Sequence, residues 1–212
     1  MSFIVKKILA AWNLFRLGVA GGDANILSGN IDRAIILLAI PMTLEMAMES
    51  LFAIVDIFFV SKIGVNAIAV VGLTESMLTI TYSLGWGLAM GTTAMIARRV
   101  GEGDNDGASV SAVQSIYLAL IISIPIMICG IFFSEDLLRL MGATSEVISQ
   151  GSGYTKLTLG FNLIVILLFL INGIFRGAGD AALAMRSLWI ANTLNIVLDP
   201  LLIFGIGPFP EL

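Results

Sequence analysis

Long uninterrupted apolar runs dominate the chain, broken by short polar punctuation. Five of them, at residues 34–61, 67–97, 108–133, 147–175 and 182–206, are each long enough to cross about 30 Å of hydrocarbon at about 1.5 Å per residue. None shows the period-two alternation of a barrel strand. Lipid offers backbone polar groups no partner outside the chain, so each run is predicted to be a helix. The fold class is all-α, a polytopic integral membrane helix bundle with about five transmembrane helices.

The opening segment, MSFIVKKILAAWNLFRLGV, behaves differently. Ile4, Ile8, Trp12 and Phe15 fall near one helical face, with Lys6, Lys7, Asn13 and Arg16 elsewhere. It is too short and too interrupted to span, and no small-residue cleavage site follows an apolar core. Residues 1–20 are predicted to form an interfacial amphipathic helix on the anionic inner leaflet rather than a signal peptide. Gly21, Gly22, Asn25, Ser28 and Gly29 make residues 21–30 a linker to the bundle.

Residues 64–66, the run Gly101-Glu102-Gly103-Asp104-Asn105-Asp106-Gly107, and Arg176-Gly177-Ala178-Gly179-Asp180 read as turns. The connection SEDLLRLMG reads as a short amphipathic turn on the membrane surface. Gly85, Gly87, Ala89, Gly91 and Ala94 line the second span with small residues that permit close helix approach.

Composition agrees with the pattern. At 58% hydrophobic and 12% charged residues, 212 positions cannot hide their apolar surface in one soluble core. The net charge of −4 comes without a basic patch, so no nucleic-acid partner is expected. Charge placement gives orientation. With the N-terminus cytoplasmic, Lys6, Lys7, Arg16, Arg33, Arg98, Arg99, Arg176 and Arg186 fall inside and Lys62, Arg139 and Lys156 outside, which together account for all 11 cations and satisfy the positive-inside rule. The lone Cys129 reads as a small buried hydrophobe without redox meaning. The absence of histidine removes Ser/His and HExxH chemistry, so the chain is not read as an enzyme.

Function is legible in the polar groups inside the spans, because an ionisable residue at membrane depth is costly and marks a pathway by default. Glu45, Glu49 and Asp56 fall within about 40° of one another on a helix of 3.6 residues per turn, with Phe52 between the last two. Asn192, Asn195 and Asp199 share a face of the fifth span. Asp56 and Asp199 lie at matching depth, roughly 8 to 10 Å from the outer end. Asn195 sits one turn deeper and Tyr154 approaches from the fourth span. Two carboxylates, an amide and a phenol would then share one pocket able to hold sodium on oxygen ligands or to carry a proton on coupled carboxylates. Pro41 is a kink or a hinge. Glu45 and Glu75 divide evenly between structural and functional roles, and the Met and Trp residues read mainly as packing.

The run IPMTLEMAMESLFAIVDIFFVSKIGVNAIAVVGL resembles the first span and turn of the multidrug and toxic compound extrusion (MATE) exporters. RGAGD followed by NTLNIVLDPLLIFG is similar to that family's fourth-to-fifth connection and fifth span. The resemblance runs from about Ile31 to the C-terminus. It implies a twelve-helix, two-lobed antiporter that exports amphipathic, often cationic compounds against sodium or protons in a bacterial inner membrane. Asp56, Asn195 and Asp199, with Tyr154, resemble the N-lobe cation site; no other cofactor is implied. Pro41 matches the proline whose bending closes the N-lobe cavity, and Glu45 and Glu49 fall where that cavity is lined. Asn172 also has a family counterpart, although span boundaries place it near the inner surface. Residues 31–212 would form an incomplete N-lobe. With the sixth helix and C-lobe absent, the expectation is a truncated N-terminal part that needs the missing half to transport. A lipid-linked oligosaccharide flippase of the same superfamily and a non-transporting membrane scaffold stand as alternatives.

Overall fold

The structure, a computed structural model, describes residues 3–21 and 30–205. Nearly all of the linker and the terminal PFPEL lie outside the described residues. The helices are α1 (Phe3–Ala20), α2 (Ile31–Ile63), α3 (Val65–Gly101), α4 (Asn105–Leu140), α5 (Ser145–Gly160), α6 (Asn162–Gly177) and α7 (Ala181–Ile203). Helices α2, α3, α4 and α7 are individually long and apolar enough to cross a membrane, and α5 with α6 reaches that length and hydropathy only together, as a pair bent by 40°.

That bend corrects the expectation of one continuous helix over residues 147–175. Phe161 leaves helical geometry at φ −103°, ψ 19°. The buried Asn162 offsets part of the cost, since its Nδ2 donates to the Leu159 carbonyl at 2.7 Å and to the Ser123 carbonyl of α4 at 3.4 Å. An asparagine in an apolar run was the signal, and it serves the break. Helix α4 also bends, at Phe133 (φ −125°, ψ 18°), so SEDLLRLMG forms its last turns.

Short polar caps start the helices. Asn30 Oδ1 accepts from the Asp32 amide, Asp104 Oδ1 from that of Gly107, and Asp180 Oδ1 from that of Leu183. Between α2 and α3 only Gly64 intervenes, at φ 145°, ψ 174°, a conformation that a side chain would strain.

Helix α3 is the hub, packing most extensively on α6. Its contact face is small and polar. The Thr93 hydroxyl lies 2.8 Å from both the Ala89 carbonyl of its own helix and the Gly173 carbonyl of α6, which share its one proton as acceptors. Thr74 and Thr155 pair their hydroxyls at 2.8 Å between α3 and α5, and Thr92 donates to Ser115 of α4 at 2.9 Å. Such bonds, with close backbone approach, stand in for the hydrophobic driving force that lipid removes. Of the small residues noted on the second span, Gly85 and Ala89 face α6, whereas Gly87 and Gly91 face open space. Cys129 also departs from expectation: it lies on the outward side of α4 and is exposed.

Gly177 of α6 shows how tight the hub is. A Cβ there would lie 2.7 Å from the Thr93 carbonyl oxygen and 3.0 Å from Ile96 Cβ. Backbone cannot swing aside as a side chain can, so Gly177→Ala should destabilise by about 1–3 kcal/mol. Gly87→Ala, which meets nothing, should be neutral or slightly stabilising. Thermal unfolding of the two purified variants checks this, and equal midpoints would contradict it.

Candidate ion and substrate cavities

Two of the cavities between the helices meet at one carboxylate. The first, about 720 Å³, is bordered by Asp56 and Val60 of α2, Asn66 and Val70 of α3, Gln150 and Tyr154 of α5, and Asp199 of α7. Gly64 borders it too, so it belongs to the end of the bundle where α2 turns into α3. Asn66 Nδ2 donates to Gln150 Oε1 at 3.1 Å across that end. The fold thus brings Asp56, Asp199 and Tyr154 from three helices to one cavity, as their matching depth predicted.

Asn195 takes a different position. It does not border the cavity but stands one turn from Asp199 on α7, and with its amide oriented to suit its neighbours Nδ2 donates to Oδ1 and Oδ2 of Asp199 at 2.9 and 3.0 Å. It holds the carboxylate from behind.

The second cavity, about 560 Å³, shares Asp56 and Val71 with the first. Glu49 and Phe52 of α2, Glu75, Tyr82 and Trp86 of α3, Phe169 and Asn172 of α6, and Asn192 of α7 complete its polar and aromatic wall. Tyr82 OH donates to Glu75 Oε2 at 3.2 Å. Phe169 lies edge-on to Tyr82 and tilted against Trp86, with ring centroids 6.0 and 5.7 Å apart. Asn172, in the C-terminal part of α6, is buried and borders this cavity. Its Oδ1 accepts from Ser187 at 3.4 Å, while its Nδ2 and that of Asn192 have no partner among the described residues.

The acidic stripe of α2 divides in use. Glu49 and Asp56 border the second cavity. Glu45 does not: it is buried, and its Oε1 accepts from Arg176 Nη1 of α6 at 3.1 Å. Along the sequence Arg176 stands among the turn cations, and nothing in a one-dimensional pattern links it to Glu45, 131 positions away. Pro41, buried one turn before Glu45, lies within α2. Among the described residues no group of three or more His, Cys, Asp or Glu is arranged to hold a metal ion. Any cation in the first cavity would rest on two carboxylates with neutral oxygens.

Residues 41–201 match the MatE family, which covers most of the chain. The chain belongs to the MatE family. Among relatives of this MatE chain are a FAD transporter of Shewanella oneidensis, 29% identical over 187 residues that make up 88% of this chain and 41% of that protein. The multidrug export protein MepA of Staphylococcus saprophyticus is 28% identical over 168 residues, 79% of this chain and 37% of its own. Among solved structures, a MOP superfamily transporter from Pyrococcus furiosus superposes with a TM-score of 0.79 at 36% identity, covering 90% of this chain and 41% of that one. A MATE transporter bound to MaD3S superposes at 0.81, again at 36% identity, covering 91% and 42%. The chain thus spans about two fifths of the length of these MatE relatives.

Proposed function

We propose that this chain supplies the cation-coupling half of an exporter for amphipathic, cationic compounds, with sodium or protons as the coupling ion. The single observation that carries the reading is Asp56, which stands in the wall common to both cavities. On one side it joins Asp199 and Tyr154, a set of oxygens suited to a small cation. On the other it joins Glu49 and Glu75 amid Phe52, Tyr82, Trp86 and Phe169, a lining that suits a flat apolar cation through charge and ring contact. An ion and a cationic substrate would then draw on one carboxylate, which is the condition for exchange.

The same acids weigh against the alternatives. A lipid-linked pyrophosphate, or the diphosphate of a FAD-like cargo, would meet three carboxylates in the second cavity. A scaffold would have no use for two cavities joined at a carboxylate.

Binding of a planar cationic dye such as ethidium to the purified chain in detergent tests the reading, with quenching of Trp86 emission as the signal. Each lost charge-assisted contact is worth about 1.5–3 kcal/mol. The variants Glu49→Gln and Glu75→Gln should therefore each weaken binding by roughly tenfold or more. Binding of FAD in place of the cation, or binding indifferent to both substitutions, would overturn the assignment of the second cavity.

A further inference from the structure

Helix α1 is attached to the bundle by one end and leaves an apolar face unpartnered. Gly18 packs against Ile40 of α2, and Gly21, at φ 64°, sits against Ala182 of α7. The Arg186 guanidinium of α7 closes the joint: its Nη2 donates to the Val19 carbonyl at 2.9 Å and to the Ala20 carbonyl, groups the last turn of a helix leaves without partners. Ile8 is 62% and Trp12 57% exposed, Val5, Leu9 and Phe15 are exposed as well, and the Trp12 and Phe15 rings stack at 5.7 Å.

We propose that α1 is a docking surface for anionic phospholipid headgroups, clamped by Arg186 to the foot of α7. Charge decides the occupant. Residues 3–20 contain Lys6, Lys7 and Arg16 and no Asp or Glu, in a chain whose net charge is −4. A second copy of this helix would bring the same positive charge against itself. An anionic leaflet offers the opposite sign, worth about 1 kcal/mol per Lys or Arg near its surface, together with an apolar layer for Trp12. Position agrees: α1 meets α2 and α7 at the bundle end that also carries Arg33, Arg98 and Arg99, beside the outward-facing Ile35 and Ile36 of α2.

The test places the chain in bilayers of fixed phosphatidylcholine and phosphatidylglycerol composition, with bromine on the acyl chains of one lipid or the other. The Trp12 signal is the difference in emission between the wild-type chain and Trp12→Phe, which leaves Trp86 and Trp189 in place. The expected result is loss of most Trp12 emission, at least twofold greater when phosphatidylglycerol carries the bromine. That preference should vanish in Lys6→Gln/Arg16→Gln while quenching by total lipid persists. Equal quenching from both lipids in the wild-type chain would overturn the anionic preference. No quenching from either would show that protein covers Trp12, a second copy or another part of the transporter, and would overturn the proposal whole.

Discussion

Cells expressing this chain as the N-terminal part of a complete exporter should lose gradient-driven efflux of ethidium when Asp56 or Asp199 is changed to asparagine, at membrane levels equal to wild type. Asparagine keeps the size and hydrogen-bonding reach of the side chain and removes the charge. Asp56 and Asp199 are the two carboxylates of the first cavity, so either change removes half of the negative charge available to a cation there. A charge-assisted contact worth about 1.5–3 kcal/mol corresponds to roughly ten- to a hundredfold weaker ion binding, enough to uncouple a cycle driven by the gradient. Asp56→Asn should be the more severe. Asp56 also borders the second cavity, so substrate binding weakens with it, whereas Asp199→Asn should spare ethidium binding while abolishing transport.

Asn195→Ala adds a graded comparison. Its amide supports both oxygens of Asp199 without reaching the cavity, so transport should fall less than in Asp199→Asn. Collapsing the sodium and proton gradients separately in the wild type names the driving ion. Efflux unchanged in both aspartate variants would make the acids structural and leave the exporter reading to likeness with relatives.

Periodicity and depth were enough to pair Asp56 with Asp199 from sequence, because both quantities follow from one helix geometry repeated in each span. The same geometry does not reach the partner of Glu45. Glu45 shares a face with Glu49 and Asp56 but is claimed by Arg176, a residue 131 positions away whose helix ends inside the bundle. Such a pairing is tertiary and invisible to a pattern along one span. Glu75 was noted, yet its partner Tyr82, seven residues on, was not; two helical turns bring them together, a spacing the sequence does contain. Cys129 failed for another reason: an apolar residue in a membrane helix faces lipid as readily as protein, so hydrophobicity alone does not predict burial.

The Glu45–Arg176 pair should govern the stability of the cation-rich end of the bundle and the mobility of α2. Their side chains are 7% and 12% exposed, and Glu45 Oε2 has no partner among the described residues, so there the carboxylate depends on the guanidinium contact at 3.1 Å. Removing one member of a buried pair strands the other and costs about 3–5 kcal/mol, while replacing both with apolar residues of similar volume is often neutral. For a chain of this size that cost corresponds to a fall in thermal midpoint on the order of 10 °C. Arg176→Met alone should show it, and Glu45→Leu/Arg176→Met should recover most of it. Transport should not recover in parallel. One turn below Glu45, Pro41 lacks the amide hydrogen that would bond the Leu37 carbonyl, leaving α2 soft at that point. Just above it, α2 is tied to α6 by the ion pair and to α7 by Trp189 Nε1, which donates to the Leu44 carbonyl at 3.2 Å. The double variant keeps the fold and removes the first tie, so α2 is free to bend at Pro41 whether or not the first cavity is filled. Ethidium should then bind with near-normal affinity and leave with weaker dependence on the gradient. A double variant as unstable as Arg176→Met, or one with wild-type coupling, would refute this role of the ion pair.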